Sequence, residues 1–246
     1  MAYKILRFPS VSSTNDVLKS LVTPETPEGL TVQAKEQNAG KGRQGRIWES
    51  CPGNLYVSVF LKPQLPLASL GLFTYVASLA VYHTLKPLLP EPVHLSLKWP
   101  NDLLLEGKKI SGILLESLYL GKDGQNDDAP QGLIIGVGIN IAHAPDITGR
   151  PVTKLNTWCT SSCSVAQVMA SFLRQLSYVY VSWQRNGFSL IRKEWMQRTV
   201  PIGTPLRIRN RYDTWTEGTF LGIAEDGALD LSTMGGDRSF YVGEIV

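Results

Sequence analysis

The sequence predicts an α+β fold: a mixed β-sheet flanked by helices, then a small C-terminal all-β barrel. Three observations predict it. Alternating apolar runs recur through the first 141 residues, two long apolar helical patterns fall among and after them, and the texture changes past Thr199. From there short alternating runs are separated by Gly-Asp turns. We expect one domain over 1–198 and a second over 199–246, the second of about 45 residues, a size that leans on a neighbour for its core.

The elements follow in order. YKILRF reads as a short strand, and Ser12 or Ser13 is placed to cap a helix beginning near Thr14, with Val17, Leu18, Leu21 and Val22 on one face. TPETPEG is a turn, and LTVQAKEQ is a strand leading into a glycine loop. NLYVSVFL is a strand with Leu55, Val57, Val59 and Leu61 alternating to one side. LASLGLFTYVASLAVYHTLKPLL reads as one long buried helix, closed by LPEP. The stretch 93–120 reads as two strands around a tight Glu106-Gly107-Lys108 turn, followed by a polar, exposed loop over 121–132. LIIGVGINI is a continuous apolar run and so a central strand. Helices are expected near 165–186 and 189–197.

Composition narrows the function. The chain has 246 residues, 43% of them hydrophobic, and a formal net charge of +3. Lys and Arg are spread along it with no basic tail, which argues against nucleic acid as a partner. The three cysteines (Cys51, Cys159, Cys163) form no framework, and the three histidines show no ligand spacing, so no residue is assigned to a metal. A reducing, cytoplasmic setting is expected, with no leader and no membrane span.

The glycine loop, EQNAGKGRQGR, carries Gly40-x-Gly42-x-x-Gly45. A Rossmann turn would open a helix at its end, so that a pyrophosphate meets the helix N-terminus. Here Cys51-Pro52-Gly53 and a strand pattern follow instead, and no Gly-Lys-Ser/Thr makes a P-loop. What is left is a set of glycines whose amides can approach an anion closely, threaded with Lys41, Arg43 and Arg46. Such a loop is expected to be loose when empty and ordered by a multiply charged ligand. A solvated basic turn explains the composition equally well. KWPND tips the balance, because Lys98, Asn101 and Asp102 flank a proline beside a tryptophan, with Lys109 just beyond the next turn. Gly112 leaves a strand face open to a ligand, and Gly136 and Gly138 mark a close approach of ligand, backbone or helix to their strand.

SSTN, EQNAGKGRQGRIW, GNLYVSVFL, KWPNDLLLEGKKISGILLE and IIGVGIN, in that order, resemble the catalytic core of bacterial biotin protein ligases, the biotin–[acetyl-CoA-carboxylase] ligases. The resemblance covers about 8–200, and the C-terminal segment resembles that family's SH3-like end domain. The family's loop usually reads Gly-Arg-Gly-Arg-x-Gly-Arg; Lys41 replaces the first arginine, keeping charge and losing the bidentate fork. The chain starts at the catalytic core, so the resemblance implies the monofunctional form without the N-terminal DNA-binding domain.

The resemblance implies that biotin's carboxylate attacks the α-phosphorus of ATP, giving biotinyl-5′-AMP, and that a lysine of a biotin carboxyl carrier protein then takes the biotin. Arg43, Lys109, Lys98 and Asp102 form the expected catalytic set. The expected binding set is Ser13, Thr14, Asn15, Gln37, Gly40, Lys41, Gly42, Arg43, Gln44, Arg46, Trp48, Asn101, Lys109, Gly112, Gly138 and Asn140. Hydroxyls and amides of Ser13, Thr14, Asn15 and Gln37 suit the ureido ring, Trp48 suits the adenine, and Mg²⁺ shares the phosphate charge. Asn101 and Asp102 serve the phosphate, Mg²⁺ or the incoming amine. A lipoate-type acyl ligase or transferase and a non-catalytic biotin-binding regulator are the alternatives. A homodimer paired along an edge such as LIIGVGINI is also open.

Overall fold

The computed structural model describes residues 1–120, 131–146, 151–210 and 214–245. Two sheets organise it. The first has seven strands in the order β1-β2-β3-β7-β6-β5-β4, and the second has five in the order β11-β10-β9-β8-β12. In the first sheet β1 (Lys4–Val11) runs parallel to β2 (Leu30–Gln37), and every other neighbour is antiparallel, so the sheet is mixed as expected. β1 carries Pro9, which an edge strand tolerates because one side of its backbone has no ladder to lose.

The period-2 pattern places the core. In β3 (Leu55–Leu61), Leu55, Val57, Val59 and Leu61 are fully buried in the larger apolar cluster, with residues of α2 (Phe73–Leu85) and α3 (Val165–Met196). Phe60 turns to the other face, where it meets Leu18 of α1 (Thr14–Leu21) in a smaller cluster. Leu21, expected on that buried face, is the last residue of α1 and remains 42% exposed.

Three sequence expectations are revised and one holds. The long helix over 67–89 is a 13-residue α-helix between 3-10 turns at Leu67–Leu72 and Lys86–Leu88. The two helices expected near 165–197 are present, the two arms of α3 on either side of a break at Gly187, whose φ of 70° only glycine adopts freely. The stretch 93–120 holds three strands: β4 (Leu95–Lys98), β5 (Asp102–Leu105) and β6 (Lys108–Tyr119). KWPND is therefore the β4–β5 turn as well as a strand end, with Trp99–Pro100 in the cis form and Lys98 registered on Asp102. Finally, β7 (Gln131–Ile139) lies in the middle of the sheet with β3 and β6 on its two sides, so LIIGVGINI has no free edge for a second copy. The expected polar loop over 121–132 falls almost wholly outside the described residues.

The second sheet comprises β8 (Pro205–Arg209), β9 (Trp215–Ile223), β10 (Leu229–Thr233), β11 (Gly236–Phe240) and β12 (Glu244–Ile245), all antiparallel. This agrees with an SH3-like C-terminal unit. Its Ile208, Phe220, Ile223, Leu229 and Leu231 join the larger cluster. The small sheet thus borrows core from its neighbour, as its size requires.

Candidate active site

A cavity of about 500 Å³ opens over the α1 face of the large sheet, where α1, the glycine loop, β5, β6, β7 and the start of β12 converge. Sixteen of the expected site residues line it: Ser13, Thr14, Asn15, Gln37, Lys41, Gly42, Arg43, Gln44, Arg46, Trp48, Asn101, Asp102, Lys109, Gly112, Gly138 and Asn140. Lys98 and Gly40 do not. Lys98 ends β4 outside the lining. Gly40 has a backbone role, because a Cβ there would sit 2.3 Å from the Trp48 carbonyl oxygen.

The glycine loop is built, not merely polar. Gly42 N–H donates to Arg46 O at 2.7 Å, Trp48 N–H donates to Gly40 O at 2.9 Å, and Arg43–Gly45 forms one 3-10 turn. Gln44 adopts φ 57° and Gly45 φ 73°, a left-handed pair that a glycine-rich stretch can hold. The loop folds Trp48 down onto the sheet. Its ring occupies the space a Cβ would take at Gly112 (2.8 Å) and at Gly138 (2.5 Å). Gly136, two residues along β7, makes the same allowance for Asn15 of α1, at 2.3 Å. The two glycines of β7 thus divide the alternatives left open by the sequence: Gly136 admits a helix, Gly138 admits the loop's aromatic ring.

Two chemically distinct walls result. At the α1 end the groups are neutral and buried: Thr14 is 4% exposed and Asn15 3%. Ser13 stands at the cap position of α1 without a side-chain cap bond, and Gln37 Oε1 takes the Thr14 N–H instead, at 2.8 Å. At the other end the groups are charged. Lys109 Nζ lies 2.6 Å from Asp102 Oδ1 and 5.5 Å above the Trp48 ring. Arg43 Nη1 donates to Asn101 Oδ1 at 3.2 Å. Burial holds the Arg43 guanidinium below its ordinary pKa, opposed by Asp102 and Glu244 and reinforced by Arg46. Lys41 pairs with Asp16 of α1 at 2.6 Å, and that hydrogen bond raises its pKa. The lysine in place of the usual arginine thus has a partner inside the chain.

Sequence reasoning missed Glu244. Arg46 grips it with two bonds, 3.0 and 2.6 Å, and Arg209 adds a third at 3.1 Å. The second sheet therefore contributes a wall of the cavity. No local signal marks Glu244, because its partner lies 198 residues away. Among the described residues three buried polar atoms of the lining make no well-aligned hydrogen bond: Asp102 Oδ1, which the Lys109 ammonium meets as an ion pair, and Trp48 Nε1 and Asn140 Oδ1, which suit a polar ligand.

A cavity with a neutral hydrogen-bonding end and a cationic end, roofed by a glycine loop on a mixed sheet, has the donor and charge set to suit a polar ring system beside a polyanion. Residues 7–140 match the profile of the biotin/lipoate A/B protein ligase family, and the chain belongs to that family. It is 41% identical over 245 residues to the bifunctional ligase/repressor BirA of Escherichia coli, covering 96% of this chain and 72% of that protein. It is 33% identical to the biotin–[acetyl-CoA-carboxylase] ligase of Paracoccus denitrificans, covering 95% and 96%. Among solved structures it resembles the biotin protein ligase from Aquifex aeolicus in complex with biotin and ATP, with TM-score 0.80 and 27% identity over 98% of this chain and 97% of that one.

Proposed function

We propose that the chain is an ATP-dependent biotin protein ligase that forms biotinyl-5′-AMP and transfers biotin to a lysine of a biotin carboxyl carrier protein. The observation that carries this reading is the single cavity in which the neutral wall of Thr14, Asn15 and Gln37 faces the cations Arg43, Arg46 and Lys109. A cytoplasmic setting goes with it. No helix among the described residues is long and apolar enough to cross a membrane.

Biotin's carboxylate is ionised at neutral pH, so the first step needs no base. Its barrier is the approach of one anion to another and the charge left on pyrophosphate. Lys109, above the Trp48 ring and beside Asp102, holds the carboxylate toward the α-phosphate. Arg43 takes charge developing on the phosphates. The ureido ring lies against the neutral wall of Thr14, Asn15 and Gln37, and the adenine lies beside Trp48. The bond from the carboxylate oxygen to phosphorus forms as the α–β bridging oxygen leaves with pyrophosphate. The carrier's lysine amine then attacks the acyl carbon, AMP leaves, and Asp102 is within reach of that amine's proton.

Mg²⁺, an ion that typically meets only one or two protein carboxylates, would arrive on the triphosphate. Asp102 is the carboxylate that would meet it, and the ion would neutralise phosphate charge.

Biotin-dependent release of pyrophosphate from ATP, followed by transfer of labelled biotin to a carrier domain, tests the proposal. Pyrophosphate release with lipoate and not with biotin would favour the lipoate-type reading. Biotin binding with no pyrophosphate release would favour a regulator.

A further inference from the structure

The neutral wall contains a hydrogen-bonded chain whose direction can be worked out proton by proton. Asn15 Nδ2 donates to Glu116 Oε2 at 2.6 Å. Ser58 Oγ donates to Asn15 Oδ1 at 2.6 Å and lies equally well to donate to Thr14 Oγ1, at 2.7 Å. Thr14 Oγ1 gives its own proton to Gln37 Oε1 at 3.1 Å. Gln37 Nε2 donates to Ser50 Oγ at 2.9 Å, and Ser50 Oγ donates to the Trp48 carbonyl oxygen at 3.0 Å.

Both ends of this chain are pure acceptors: a carboxylate at one, a backbone carbonyl at the other. Every proton therefore points outward from Ser58. A hydroxyl has one proton, so Ser58 can fill Asn15 Oδ1 or Thr14 Oγ1 but not both. One acceptor of the pair is always open, and both residues line the cavity. Ser58 is fully buried, so the choice between the two acceptors is made inside the wall.

We infer that Glu116, which does not itself line the cavity, is a positioning residue that sets this wall to accept a hydrogen bond from the ligand. The inference rests on the biotin reading and deepens it, since a ureido ring offers N–H donors. The mechanism runs through the Asn15 amide. A carboxylate at 116 only accepts, so it pins the Asn15 NH₂ toward itself and the carbonyl oxygen toward Ser58 and Gly136. With an amide at 116, Asn15 can turn over, accept from residue 116 and donate to Ser58. Ser58 then gives its proton to Thr14 Oγ1, the Asn15 carbonyl oxygen is turned toward residue 116, and the open acceptor that the wall offered a ligand N–H beside Ser58 is gone.

Steady-state kinetics with biotin, ATP and a carrier domain test this. Glu116→Gln is expected to raise the KM for biotin by about tenfold or more, the loss typical of an unpaired polar group in a binding site, with kcat and the KM for ATP within about twofold. The double variant Glu116→Gln with Asn15→Asp restores the pattern, because a carboxylate at 15 accepts both from the amide at 116 and from Ser58. Its biotin KM is expected to return to within about threefold of wild type. A residue needed only for packing would not be rescued by exchanging acid and amide. An unchanged biotin KM in Glu116→Gln overturns the inference, and so does a raised KM that the double variant fails to recover. A wild-type chain inert toward biotin would instead overturn the functional reading as well, and shows itself before any variant is made.

Discussion

The two ends of the cavity hold their side chains by opposite means. At the α1 end, Thr14, Asn15, Ser58 and Gln37 are locked by short bonds between neutral groups. At the other end, Lys41, Arg46 and Lys109 are held by Asp16, Glu244 and Asp102. The first arrangement is a buried network that a neutral ligand joins by adding hydrogen bonds. The second consists of cations already satisfied by carboxylates, which a polyphosphate must compete for. On the proposed function, the difference assigns selectivity to the neutral end and rate to the charged end.

That division can be broken or sharpened by substitution. Lys109→Met should be the most severe, lowering the rate of adenylate formation by on the order of 10²–10³, with a smaller loss of biotin affinity from the missing contact to its carboxylate. Single-turnover pyrophosphate release measures it, and an equal loss of biotin binding would erase the division. Arg43→Gly should leave the adenylate able to form and less well retained, its release faster by on the order of tenfold. Stopped-flow release of biotinyl-AMP decides the point; an off-rate equal to wild type rejects it.

The two glycines of β7 allow a finer test. Gly136→Ala places a methyl group against Asn15, and Gly138→Ala places one against Trp48. The first should weaken biotin and spare ATP; the second should weaken ATP and spare biotin, each by on the order of ten- to a hundredfold. Calorimetry on both variants reads this directly, and parallel losses in both would show that the cavity acts as one unit. Glu244→Gln should have a smaller effect, about threefold on the KM for ATP, because a partly exposed ion pair contributes little. Its effect should shrink further at high salt. Lys41→Arg should be the mildest. Lys41 spends its charge on Asp16, so restoring the family's usual arginine should change either KM by no more than about twofold.

Much of this was legible in the sequence. The alternation of Leu55, Val57, Val59 and Leu61 fixed a strand and the face it buries, because period 2 has only one structural meaning over seven residues. The order of the motifs revealed the site because polar residues crowded beside glycines have little packing purpose. Glu244 and Glu116 were not legible. Each is an ordinary glutamate in a strand, made relevant only by partners 198 and 101 residues away. The β4–β5 turn was missed because Trp99-Pro100 reads as a strand terminus, with no glycine ahead of it to announce a reversal.

The grip of Arg46 on Glu244 has a further consequence. The short C-terminal strands form one wall of the chamber, so turnover becomes a gauge of their integrity. In a urea titration, catalysis should fade while the helical circular-dichroism signal of α2 and α3 is still intact, and the interval between the two curves would measure how much more easily the lesser sheet lets go.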